Sequence, residues 1–68
     1  MNWKCTLMVT KNLAGKILLA TIRNIDTMAV QKRLTAAEVE EWENTLEVLG
    51  IYPTYIKTSG SYTAVYHW

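Results

Sequence analysis

The chain has 68 residues, half of them hydrophobic and 19% charged, with a formal net charge of +1. That length supports one domain, spanning 1–68, near the lower size at which a core folds without disulfides or metal. The composition is globular rather than disordered, and the charge balance gives no general pull toward nucleic acid or anionic membranes.

The first segment, "MNWKCTLMVT", alternates apolar Trp3, Cys5, Leu7 and Val9 with Lys4, Thr6, Met8 and Thr10, the pattern of a strand with one buried face. It lacks the continuous apolar core of a secretory leader, and the longest aliphatic run, "ILLA" at 17–20, is too short to span a bilayer. Cys5 is the single cysteine, so no intrachain disulfide or cysteine-based zinc site is available. These features lead us to expect a soluble, cytoplasmic protein.

The strand continues into a hairpin. A four-residue loop "NLAG" at 12–15 pairs Lys11 with Lys16 and sets Val9 opposite Leu18, Leu7 opposite Ala20 and Cys5 opposite Ile22, which unites the apolar residues on one face. On that register Met8, Ile17 and Leu19 fall on the opposite face, where they form a candidate self-association surface for a homodimer. The next segment, "IDTMAVQKR", reads either as a short extra strand, with Met28 and Val30 alternating, or as a crossing loop.

A helix over about 36–49 is marked at both ends. Thr35 and Glu38 form a capping box, Leu34 and Val39 a hydrophobic staple, and Gly50 suits a left-handed residue beyond the last turn, with Pro53 blocking continuation. Val39, Trp42, Leu46 and Leu49 recur at helical spacing on one face. The same stretch holds five of the six acidic residues and no base. Elsewhere seven bases stand against Asp26, a balance of +6, so the folded molecule should have an acidic and a basic side.

Beyond the helix, "PTYIKTSGSYTAVYHW" reads as a second hairpin turning near Ser59 and Gly60. A two- or four-residue turn places Tyr55, Tyr62, Ala64, Tyr66 and Trp68 on one side and Ile56, Thr63 and Val65 on the other, whereas a three-residue turn reshuffles them. The expected fold class is α+β: a small two-layer domain in which a mostly antiparallel sheet, built from the two hairpins, carries one amphipathic helix on one face.

Catalytic chemistry finds little support. His67, the only histidine, lies one residue from the end of the sequence, where fraying is expected, and Cys5 alternates with the expected core residues. Glu40, Glu43 and Glu47 line one strip of the helix but no histidine joins them, and the three glycines read as turn or cap residues rather than a phosphate loop. No enzyme activity, cofactor or metal is expected.

The reading that uses the charge pattern is a small protein-binding module, an inhibitor or adaptor occupying a surface of a larger macromolecule. By size and style, it is of the kind that phages and other mobile elements encode. The acidic strip Glu40, Glu43 and Glu47 steers toward a basic partner, such as a nucleic-acid-binding protein, and Tyr55, Tyr62 and Tyr66 supply contact area. The alternative is a small nucleic-acid-binding regulator, stacking bases on Tyr55, Tyr62 and Tyr66 beside Lys57, with Lys4, Arg23, Lys32 and Arg33 tracking phosphates.

Overall fold

Alternating segments and one capped amphipathic run become five strands and one helix in the computed structural model, which describes residues 4–24 and 31–68, with Gln31 and Lys32 described in backbone alone. The elements are β1 (Cys5–Asn12), β2 (Ile17–Asn24), β3 (Gln31–Arg33), α1 (Ala36–Val48), β4 (Thr54–Thr58) and β5 (Ser61–His67). The sheet order is β3-β2-β1-β5-β4 with every neighbouring pair antiparallel, so the two hairpins join through β1 and β5. The fold is α+β, as the sequence indicates. Part of the segment "IDTMAVQKR" is the strand β3, while Met28 and Val30, like Trp3, lie outside the described residues.

The first hairpin corrects the expected register. Asn12 accepts at its side chain from the backbone N–H groups of Ala14 and Lys16, at 3.0 and 2.9 Å, and Gly15 takes a φ of 85°. Those contacts close a loop of only three residues, with the Asn12 N–H donating to the Lys16 carbonyl at 2.9 Å. A bulge between Thr10 and Lys11 then shifts the ladder once more, giving Val9 opposite Ala20 and Leu7 opposite Ile22. Two one-residue shifts restore the parity, so the strand faces survive although each partner moves by two residues.

Ile17 lies between those two shifts and therefore changes face. It pairs with Lys11, an odd-numbered residue on the side of Leu7 and Val9, and packs against the core. The expected place of Ile17 beside Met8 and Leu19 is thus wrong. Leu18, expected opposite Val9, is instead left exposed at the bulge.

The second hairpin takes the two-residue turn among the alternatives its sequence leaves open, and its ladder runs without a shift. Thr58 pairs with Ser61 across the two-residue turn Ser59-Gly60, with Gly60 at a φ of 78°. Tyr55 consequently stands opposite Ala64, and Ile56 opposite Thr63. β5 runs between β1 and β4, and its end is held: the backbones of Cys5 and Trp68 exchange hydrogen bonds of 2.8 and 3.1 Å, and the Trp68 ring lies 5.4 Å from that of Trp42. β4 reaches only as far as Val65, so His67 and Trp68 are held by β1 alone, with His67 in register with Thr6.

Helix α1 carries the expected start. Thr35 accepts from the Glu38 N–H at 3.3 Å while Glu38 accepts from the Thr35 N–H at 3.1 Å, and Leu34 and Val39 are both buried in the core. At the other end, the Ile51 N–H donates to the Leu46 carbonyl at 2.8 Å and the Gly50 N–H to the Glu47 carbonyl at 3.0 Å, with Gly50 at a φ of 77°. This pair of bonds is a Schellman motif, and Ile51 packs against the core as that motif favours.

Val39 and Leu46 are fully buried over the sheet, and Trp42 packs beside them. Leu49 does not join them: it is 66% exposed, because it caps the helix where the chain turns away. The small side chains Ala20 and Ala64 flank Val9 across the sheet and join Val39 and Leu46 of the helix in one core cluster. No helix among the described residues is long and apolar enough to cross a membrane.

Candidate protein-docking site

The helix spacing distributes its glutamates over three environments. Glu40 and Glu41 are exposed near the N-terminal half, Glu43 is half-buried against the sheet, and Glu47 is exposed near the C-terminal end. Among the described residues, Glu40, Glu41 and Glu47 make no salt bridge, and the last helical turn has no base. Their charge therefore faces solvent uncompensated at short range, although Glu47 opposes the local helix dipole.

Glu43 behaves differently, which changes the acidic strip expected from the sequence. Tyr66 donates its phenol proton to Glu43 Oε2 at 2.6 Å, and Lys11 Nζ lies 3.5 Å from Glu43 Oε1. Lys11 reaches it because residue 11 shares the β1 face of Leu7 and Val9, a placement legible in the strand alternation. Burial pushes the Tyr66 phenol well above the ordinary tyrosine value, and the adjacent Glu43 adds to the rise. Glu43 is therefore a structural anchor of α1 on the sheet, and the free carboxylates are those of Glu40, Glu41 and Glu47.

The tyrosines also divide. Tyr66 is only 6% exposed and belongs to the core cluster, so it does not present its ring to a partner as the sequence indicated. Tyr62 is half-buried, and Tyr55 is exposed on the edge strand β4, with the two rings 6.1 Å apart and edge-on.

Because α1 lies over β2, β1 and β5, the helix side of β4 is left partly open. The opening is a groove of about 330 Å³ lined by Glu43, Glu47, Ile51, Tyr52, Pro53, Tyr55 and Tyr66. Tyr52 and Pro53 belong to the segment joining α1 to β4; the sequence marks Pro53 only as a helix stop and Tyr52 not at all. The signal for their place in the groove was the short connection after Gly50, which brings them back beside the last helical turn.

The opposite face of the sheet has its own composition. One row across the strands is Arg33, Thr21, Met8, Val65 and Thr54, and the next holds Leu19, Thr10, Thr63 and Ile56. Met8 and Leu19 are each 42% exposed, as expected for that face, and Arg23 stands in register with Thr6. A base-stacking surface needs aromatic and basic side chains together. Arg23 and Arg33 lie on this outer face, whereas Tyr55, Tyr62 and Lys57 lie on the helix face.

The remaining candidates, His67 and Cys5, lie on the neighbouring strands β5 and β1. His67 Nδ1 and Thr6 Oγ1 are 3.2 Å apart on the outer face, and Cys5 is a half-buried free thiol. Among the described residues, no group of three or more His, Cys, Asp or Glu side chains is arranged to hold a metal ion. No protein-family model, curated protein or solved structure matches the chain.

Proposed function

We propose that the domain is a non-catalytic protein-binding module, an inhibitor or adaptor that docks the acidic side of α1 on a basic surface of a larger macromolecule. The observation that carries this reading is the set of exposed carboxylates Glu40, Glu41 and Glu47, which make no salt bridge among the described residues, on a helix without a single Lys or Arg. Such a surface accelerates encounter with a basic partner and disfavours nucleic acid at the same place. A basic nucleic-acid-binding protein is the partner class this charge fits best, and proteins of this size encoded by phages or other mobile elements are the nearest functional analogy.

The test is recovery of tagged protein from its host lysate, with and without nuclease, in parallel with a Glu40→Lys/Glu41→Lys variant. Neither residue takes part in the Lys11–Glu43–Tyr66 contacts, so the reversal deletes none of them. A near-stoichiometric protein that survives nuclease and is lost with the reversal supports docking. Capture indifferent to the reversal removes it.

A second copy of the chain is the occupant we propose for the outer sheet face. Met8, Leu19 and Ile56 remain exposed there around Val65, forming an apolar strip that α1 cannot reach from the other side.

A further inference from the structure

The groove between α1 and β4 combines three features that are unremarkable singly and selective together. Its volume of about 330 Å³ sits at the small end for ligand sites, which suits one side chain rather than a nucleotide or a lipid. Tyr52 and Tyr55, both strongly exposed, supply aromatic surface to it, and Ile51 and Pro53 add apolar walls. Two carboxylates line it. Glu43 has both oxygens engaged, by Tyr66 and Lys11, whereas Glu47 has no salt-bridge partner among the described residues.

An anion entering this groove meets two carboxylates, and an apolar side chain leaves Glu47 without a partner. A cation with a flat, weakly hydrated head satisfies both kinds of wall, since a guanidinium stacks on aromatic faces while pairing with a carboxylate. We propose that the groove receives an arginine side chain from the docked protein, with Glu47 as its charge partner and Tyr52 and Tyr55 as its stacking surfaces. This rests on the docking reading for the source of the side chain, but the groove's preference for a guanidinium is testable without the partner.

The experiment is a two-dimensional amide NMR titration of the isotope-labelled protein with N-acetyl-arginine amide, using N-acetyl-citrulline amide as the uncharged isostere. The proposal expects saturable shifts centred on Glu47, Ile51, Tyr52 and Tyr55, with affinity in the millimolar range and no response to citrulline. Glu47→Gln and Tyr55→Ala should each weaken binding by about two- to fivefold, the usual worth of an exposed cation–π or ion-pair contact. Both positions are exposed, and an otherwise unchanged dispersed spectrum verifies that each variant is folded.

Shifts that fail to saturate, that citrulline reproduces, or that survive both substitutions overturn the proposal. N-acetyl-lysine amide binding as tightly as the arginine probe overturns the choice of a guanidinium. Because Glu40 and Glu41 do not line the groove, loss of lysate capture on their reversal reports on docking alone. A groove that ignores arginine while capture remains charge-dependent leaves the docking reading standing without it.

Discussion

Leu7, Val9, Ala20 and Ala64 on one face of the sheet are closed over by α1, whereas Met8, Leu19 and Ile56 on the other stay exposed around a Val65 that is 9% accessible. The side chains are of similar polarity, and what separates the two outcomes is the single helix. The outer face is furnished instead with threonines at 6, 10, 21, 54, 58 and 63, whose β-branched side chains favour strands while presenting a hydroxyl to water. Thr10 and Thr63 share a hydrogen bond of 2.9 Å across β1 and β5, and Thr58 and Ser61 one of 2.7 Å across β4 and β5. Sheet formation is thereby supported on both faces, but apolar closure on only one.

The sharpest way to break this comparison is to remove a core side chain from the covered face. Leu46→Ala should lower stability by about 2–5 kcal/mol, measured by urea unfolding, because it empties a fully buried site in a small core. Ile56→Ala deletes an exposed residue of comparable size from the outer face and should lower stability by less than about 1 kcal/mol. Equal losses at the two positions would show that the outer face is also closed in solution.

Next in size is the contact that fixes α1 to the sheet. Tyr66→Phe removes the donor to Glu43 and should destabilise by about 1 kcal/mol, a hydrogen bond to a charged group discounted because the Glu43 carboxylate keeps some contact with solvent. The pH dependence follows in sign. The folded state holds the Tyr66 proton above 10.0, the ordinary tyrosine value, so this contribution is complete below that pH and is lost as pH rises through the elevated folded value. Absorbance titration near 295 nm should show one phenol ionising late, and that late phase should vanish in the Tyr66→Phe protein. Thr35→Ala, which opens the capping box without touching either sheet face, should lower stability by about 1 kcal/mol in the same unfolding assay.

Local chemistry was legible in the sequence where it is carried by adjacent residues. Thr35, Glu38 and Gly50 mark the helix ends by interactions within a turn, and Ser59 and Gly60 mark where the second hairpin turns but not the turn length that sets its register. The first hairpin was legible in its faces but not its register, because Asn12 side-chain bonding and the bulge at Thr10 and Lys11 each moved the ladder by one residue. That is why Met8 and Leu19 were placed correctly and Ile17 was not. The docking site was legible in charge but not in geometry. Glu43 and Tyr66 meet across 23 positions of sequence and Lys11 joins them from farther away, so no spacing rule distinguishes the anchored Glu43 from the free Glu40 and Glu47.

The smallest expected change in stability belongs to the outer face itself. Met8→Thr/Leu19→Thr extends the threonine pattern already present there and should alter monomer stability by no more than about 0.5 kcal/mol, since neither side chain touches the core under α1. Its effect on association should be larger than its effect on folding. If a second copy covers the face, the wild-type mass by sedimentation equilibrium rises with concentration, and the double variant stays monomeric over the same range. A wild-type protein that remains monomeric throughout removes the second copy, and the contrast between the faces then reduces to one closed by a helix and one solvated through its threonines. A variant that still dimerises places the contact elsewhere, and the exposed residues Val48, Leu49 and Tyr52 at the end of α1 become the surface to alter next.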